Sequence, residues 1–125
     1  MRFPTIDAET FTRELASPRP PIVLDVRPRE AFEAGHVPGA SNVPVHEMAR
    51  RVDELPRSRV ARIVVIGDPG PRSAAAATWL ALVGYVDVAL LDGGFAAWSG
   101  AVETGPPAPP APRWQPELRV LPNES

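Results

Sequence analysis

Three short apolar runs, Ile22-Val23-Leu24, Ile63-Val64-Val65-Ile66 and Val88-Ala89-Leu90-Leu91, stand far apart in a chain of 125 residues. Each run is continuous, so successive side chains on both sides of the backbone need apolar neighbours. A strand with one wet face alternates; continuous runs are the pattern of strands buried on both faces of a parallel sheet. Parallel strands cannot be closed by hairpins and need long crossovers, most often helical. A weaker fourth strand is predicted at Asn42-Val43-Pro44-Val45, where Pro44 lacks a donor for the ladder.

The stretches between the runs read as helices. Asp7 can cap a helix through Phe11 and Leu15, one turn apart on one face, and Pro18, Pro20 and Pro21 stop it. Pro28 to Ala34 opens with proline in the first turn. His46 to Leu55 carries Met48, Val52 and Leu55 at helical spacing, which predicts one helix there. Ser73 to Val83 is alanine-rich, contains Trp79, Leu80 and Val83, and is followed by Gly84 where a C′ glycine belongs. Strands alternating with helices give an α/β domain with helices on both faces of the sheet. Ligands in such folds sit at the carboxyl ends of the strands, and the loop from Gly67 to Arg72 is at one such end.

With 13 basic and 15 acidic side chains, the net charge of -2 gives no footprint for nucleic acid or an anionic membrane. The first residues have no apolar core of a signal peptide, and no run approaches the roughly 20 residues of a membrane span. A cytoplasmic location is the default expectation. The chain has no cysteine, which excludes disulfides, thiolate metal sites and thiol catalysis. With His36 and His46 the sole histidines, no metal site and no cofactor is expected. Composition shifts near Thr104. Residues 1–103 read as the domain and 104–125 as a proline-rich arm, which also holds Trp114, Leu118, Val120 and Leu121.

Three segments together carry a family pattern. Asp25-Val26-Arg27, a short helical stretch, and Gly35-His36-Val37-Pro38-Gly39-Ala40-Ser41-Asn42-Val43-Pro44 match D-V-R followed by G-H-I-x-G-A-x-N-I-P. Ile63 to Ser73 matches a strand followed by C-x-x-G-x-R-S, and Leu91 to Trp98 matches L-x-G-G-x-x-x-W. In this order and spacing, across residues 5 to 100, the chain resembles the rhodanese-like family. The resemblance implies a three-layer α/β domain with a central parallel sheet flanked by helices. It also implies that Asp25 and Arg27 are structural supports beneath the site.

In the enzymes that this chain resembles, the first loop residue is a cysteine whose thiolate takes sulfur from a donor and passes it to an acceptor. Aligned on Gly70, Arg72 and Ser73, that position is Gly67, which has no side chain to attack or carry sulfur. A turn at a helix N-terminus still offers amide donors to an anion. Pro69 and Pro71 each remove one potential donor, and Asp68 adds a negative charge that opposes an anion unless Arg72 pairs with it. Gly67, Asp68, Gly70, Arg72 and Ser73 are therefore the candidate ligand loop, with no catalytic residue among them. Asp68 is a poor substitute nucleophile, since an exposed carboxylate with no partner acid or base is weakly nucleophilic.

His36 is expected to hydrogen-bond locally within its turn, and His46 to face solvent. Gly93 and Gly94 are expected to take positive φ or to allow close backbone approach, and Trp98 to anchor the core or a lid. The preferred function is a catalytically inactive binding or regulatory module, with an unknown protein partner or a small anion at the loop. Three alternatives stand beside it: sulfurtransferase by family label, a phosphoester hydrolase using the same loop, and an assembly protein dimerising through the arm.

Overall fold

The computed structural model describes residues 3–68 and 71–107. Its centre is a five-stranded, all-parallel sheet of β1 (Thr5–Ile6), β2 (Ile22–Asp25), β3 (Ser41–Asn42), β4 (Ile63–Ile66) and β5 (Val88–Leu91), in the order β1-β5-β4-β2-β3. The three apolar runs are β2, β4 and β5, side by side at the middle. Every residue of β4 is fully buried, and its alternate side chains enter two separate cores. Ile63 and Val65 meet Leu24, Met48, Leu55 and Leu80 on one face; Val64 and Ile66 meet Phe11, Val23, Val37 and Leu91 on the other. This two-sided burial explains why the runs do not alternate.

Helix α1 (Ala8–Leu15) is capped by Asp7, whose carboxylate accepts from the Thr10 amide at 2.7 Å, and it inserts Phe11 into the second core. Helix α2 is Arg29–Ala34, and α3 is Pro71–Leu82 with Ala76, Ala77 and Leu80 in the first core. Gly84 follows α3 with φ +109°, the left-handed stop that its position predicts.

Three expectations need correction. The segment 46–55 is not one helix but two 3-10 turns, Val45–Glu47 and Val52–Glu54. These turns still deliver Met48 and Leu55 to the core. The spacing that suggested a helix reports the buried face, which tighter turns serve equally well. The fourth strand is Ser41–Asn42, and beyond it the Val43 amide still donates to Asp25 O before Pro44 ends the ladder. Strand β1 has no signal in the sequence; its two residues pair with Leu90 and Leu91 at the sheet edge. Trp114 and most of the proline-rich arm lie outside the described residues, as do Pro69 and Gly70.

At the carboxyl end of β2 a buried polar cluster ties the strands to their loops. Arg27 Nε and Nη2 donate to Asp25 Oδ1 and Oδ2 at 3.0 and 2.8 Å, and Nη2 also donates to Gly35 O at 2.7 Å. Asn42 Nδ2 donates to the carbonyls of Asp25 and Arg27. Asp25 and Arg27 are both buried, so neither charge is compensated by bulk water. Removing one partner of such a pair leaves the other uncompensated, at a cost of about 3–5 kcal/mol. Arg27→Met is expected to lower the melting temperature by roughly 12 °C or more in a thermal scan followed by circular dichroism. Asp25→Asn combined with Arg27→Met should recover part of that loss, because no lone charge then stays buried.

Candidate functional site

The loop after β4 begins at Gly67, which is buried, and leads to Pro71, the first residue of α3. Proline suits that position because a first-turn amide has no partner within the helix. The same chemistry costs the site a donor, and leaves the Arg72 and Ser73 amides as the first-turn donors among the described residues.

A side chain at position 67 has no free space waiting for it. A Cβ there would coincide with the Ser73 hydroxyl and lie 3.3 Å from Ser73 Cβ and 3.5 Å from Val26 Cγ2. Ser73 has turned its hydroxyl into the volume that a nucleophile would occupy. The backbone of Gly67 is held from the other side. The Phe95 amide donates to Gly67 O at 3.0 Å from the 3-10 turn Gly94–Ala97. Gly93 and Gly94 take φ of +80° and +64°, and a Cβ on Gly94 would run into Gly67 O. Both expected uses of glycine, positive φ and close approach, meet at Gly94.

Asp25 and Arg27 reach this turn from the end of β2. Arg27 stacks its guanidinium over the Phe95 ring at 4.2 Å while paired with Asp25, so one side chain links β2 to the turn that grips Gly67. The Val26 amide donates to Ile66 O at 2.9 Å, joining the ends of β2 and β4. His36 is buried, stacked on Phe32 at 3.7 Å, with Nδ1 2.7 Å from Phe32 O: a local bond within its turn. Trp98 packs edge-on against Phe11 at 5.5 Å.

Beside the loop opens a cleft of about 390 Å³ lined by Val26, Pro28, Pro44, Val45, His46 and Arg72. Its walls are aliphatic and proline; its polar groups are one guanidinium and one imidazole. Arg72 Nη1 is 4.0 Å from Asp68 Oδ2, and both side chains are more than half exposed. An ion pair of that length and exposure contributes about 0–1 kcal/mol, so Arg72 is available to a ligand. His46 faces solvent as expected, and from the 3-10 turn Val45–Glu47 it also stands at the edge of this cleft, a neighbour that sequence spacing does not reveal. Among the described residues, no group of three or more His, Cys, Asp or Glu could hold a metal ion, and no helix is long and apolar enough to cross a membrane.

The two glycines differ in what obstructs a side chain. At Gly67 it is a hydroxyl that can rotate; at Gly94 it is a backbone carbonyl together with a left-handed φ. Gly94→Ala is expected to cost about 1–3 kcal/mol in urea unfolding, and Gly67→Ala about 1 kcal/mol or less.

A model of the rhodanese-like domain matches residues 7–101. A protein named sulfurtransferase from Allochromatium vinosum is 32% identical over 94 residues, covering 75% of this chain and 86% of its own. A thiosulfate sulfurtransferase from Pseudoalteromonas translucida is 33% identical over 94 residues, covering 72% of this chain and 84% of its own. The crystal structure of a rhodanese-like domain protein from Staphylococcus aureus superposes with a TM-score of 0.73 over 81% of this chain and 97% of that one; at 22% identity this is a likeness of fold.

Proposed function

The chain belongs to the rhodanese-like domain family, and from that premise we propose that it is a binding or regulatory module that does not transfer sulfur. The observation that carries this reading is Gly67: the chain has no cysteine, and the space beside the Gly67 backbone is taken by the Ser73 hydroxyl. Sulfur transfer by a persulfide needs a thiolate that attacks, holds the sulfur and releases it. Glycine supplies none of these steps.

The cleft beside the loop favours a protein segment over a small inorganic anion as its ligand. A free anion needs several converging donors, because each hydrogen bond to a charged group contributes only about 1.5–3 kcal/mol. Pro71 withholds one donor and the walls from Val26, Pro28, Pro44 and Val45 offer no side-chain donors. An apolar side chain flanked by a carboxylate, by contrast, fits aliphatic walls with Arg72 and His46 at their edge. Asp68, whose neighbouring charge is Arg72, gives no support to phosphoester hydrolysis.

The purified chain is expected to show no thiosulfate:cyanide sulfurtransferase turnover above a heat-denatured control. Gly67→Cys should fold and still show none, with folding checked by circular dichroism, because Pro71 and Asp68 have altered the cradle around the restored thiol. Robust turnover in Gly67→Cys would mean that the cradle was intact. A photo-crosslinking residue in place of Val45 should trap a discrete protein adduct in cells, weakened at least several-fold by Arg72→Glu. Saturable binding of thiosulfate at micromolar concentration would instead assign the cleft to a small anion.

A further inference from the structure

A second groove shares Pro44 with the loop cleft. Two cavities of about 520 and 560 Å³ share Arg29, Asn42, Arg51, Glu54 and Pro107 as lining residues, so they form one continuous depression along the β3 edge of the sheet. The chain itself leads into it. After Trp98 the backbone returns across α2 and is pinned there by reciprocal bonds between His36 and Glu103, both 2.9 Å, and by the Gly105 amide donating to Glu33 O at 2.9 Å. Val102 packs against Gly35, where a Cβ would lie 3.1 Å from its methyl carbon. Residues 102–107 are thus a strap fixed to the domain, and its last residue, Pro107, is part of both cavity walls.

We propose that the groove is the docking site for the chain's own C-terminal segment, residues 108–125. The place where the described chain ends is the first argument, since Pro107, its last residue, lines the groove. Tethering sets a local concentration in the millimolar range for short connections, far above what a second copy reaches at micromolar protein. Chemistry is the second argument. The segment holds five prolines among 18 residues, so its carbonyl acceptors outnumber its amide donors. The groove presents the complement. Arg29 is bonded to Glu33 through Nε, and Arg51 is shared between Glu47 and Glu54. Each guanidinium carries five N–H donors, so these bonds leave some for carbonyls. Arg50, mostly exposed beside Glu47, adds a third cation on the same side. Glu117 and Glu124 of the segment are balanced by its Arg113 and Arg119, as the groove's arginines are by Glu47, Glu54 and Glu103, so the match is of guanidinium donors to carbonyls and not of net charge; Trp114 lies within about 22 Å of Pro107 even at full polyproline extension.

The absence of cysteine makes the test direct, because Gln115→Cys creates the sole thiol of the full chain for a nitroxide label. In the ¹⁵N-labelled protein, docking in cis is expected to reduce the amide signals of Asn42 and Glu54 at least twofold and to leave Val60 and Val86 unchanged. Adding Arg29→Glu, on an exposed side chain, should restore at least half of the lost signal while the rest of the spectrum stays dispersed. Broadening that appears only when spin-labelled ¹⁴N protein is mixed with unlabelled ¹⁵N protein would overturn the proposal in favour of a second copy. Loss of signal elsewhere, no loss at all, or broadening unchanged by Arg29→Glu would overturn it as well.

Discussion

The Arg27 guanidinium sits between the Asp25 carboxylate and the face of the Phe95 ring, and from there it reaches the Gly35 carbonyl. Through these contacts it joins the end of the second strand, the turn after α2 and the 3-10 turn that grips Gly67. A desolvated pair of this kind contributes little net stability compared with an apolar pair of the same shape, but it admits very few alternative geometries. The cation over an aromatic face adds roughly 0.5–2 kcal/mol and fixes the ring as well. The backbone of Gly67 at the sheet's carboxyl end is therefore held by groups that do not line the cleft.

That arrangement explains how a domain can keep the shape of its family without the family's nucleophile. Position 67 contributes to the architecture only through its backbone: its carbonyl accepts from Phe95, and its burial places it against Val26 and Ser73. None of those roles needs a side chain. Chemistry and scaffold are separable here, as they are in other widely used folds. What survives at the strand ends is a shaped, largely aliphatic cleft with a guanidinium at its rim, a surface suited to recognition.

The parts of this molecule that announce themselves in the sequence are those where one physical demand acts alone. Two-sided burial of β4 requires an unbroken apolar run, and Ile63 to Ile66 is one. A left-handed φ requires glycine, and Gly84, Gly93 and Gly94 stand where it occurs. The resemblance implies a structural place for Asp25 and Arg27 but not their mutual ion pair, which depends on how the chain turns after β2. Demands that several structures meet equally well were less legible. The spacing of Met48, Val52 and Leu55 marks a buried side without distinguishing a helix from successive 3-10 turns. Two residues at an edge, such as Thr5 and Ile6, are too few to show any period. Whether Ser73 points inward depends on the empty space at Gly67, and His46 reaches the cleft through the path of an irregular segment. Both are properties of three-dimensional neighbours rather than of local sequence.

The missing thiol has a consequence for the chemistry of the cleft itself. A cysteine in such a loop makes occupancy of the site depend on redox poise, since oxidation, alkylation or a bound sulfur atom changes what the pocket contains. The loop of this domain has no such states. Its cleft presents the same side chains under reducing and oxidising conditions, and the exposed Arg72 at its rim is a charge that salt screens. A fold whose named relatives are sulfurtransferases here carries, at its strand ends, a cleft without a group that electrons can alter.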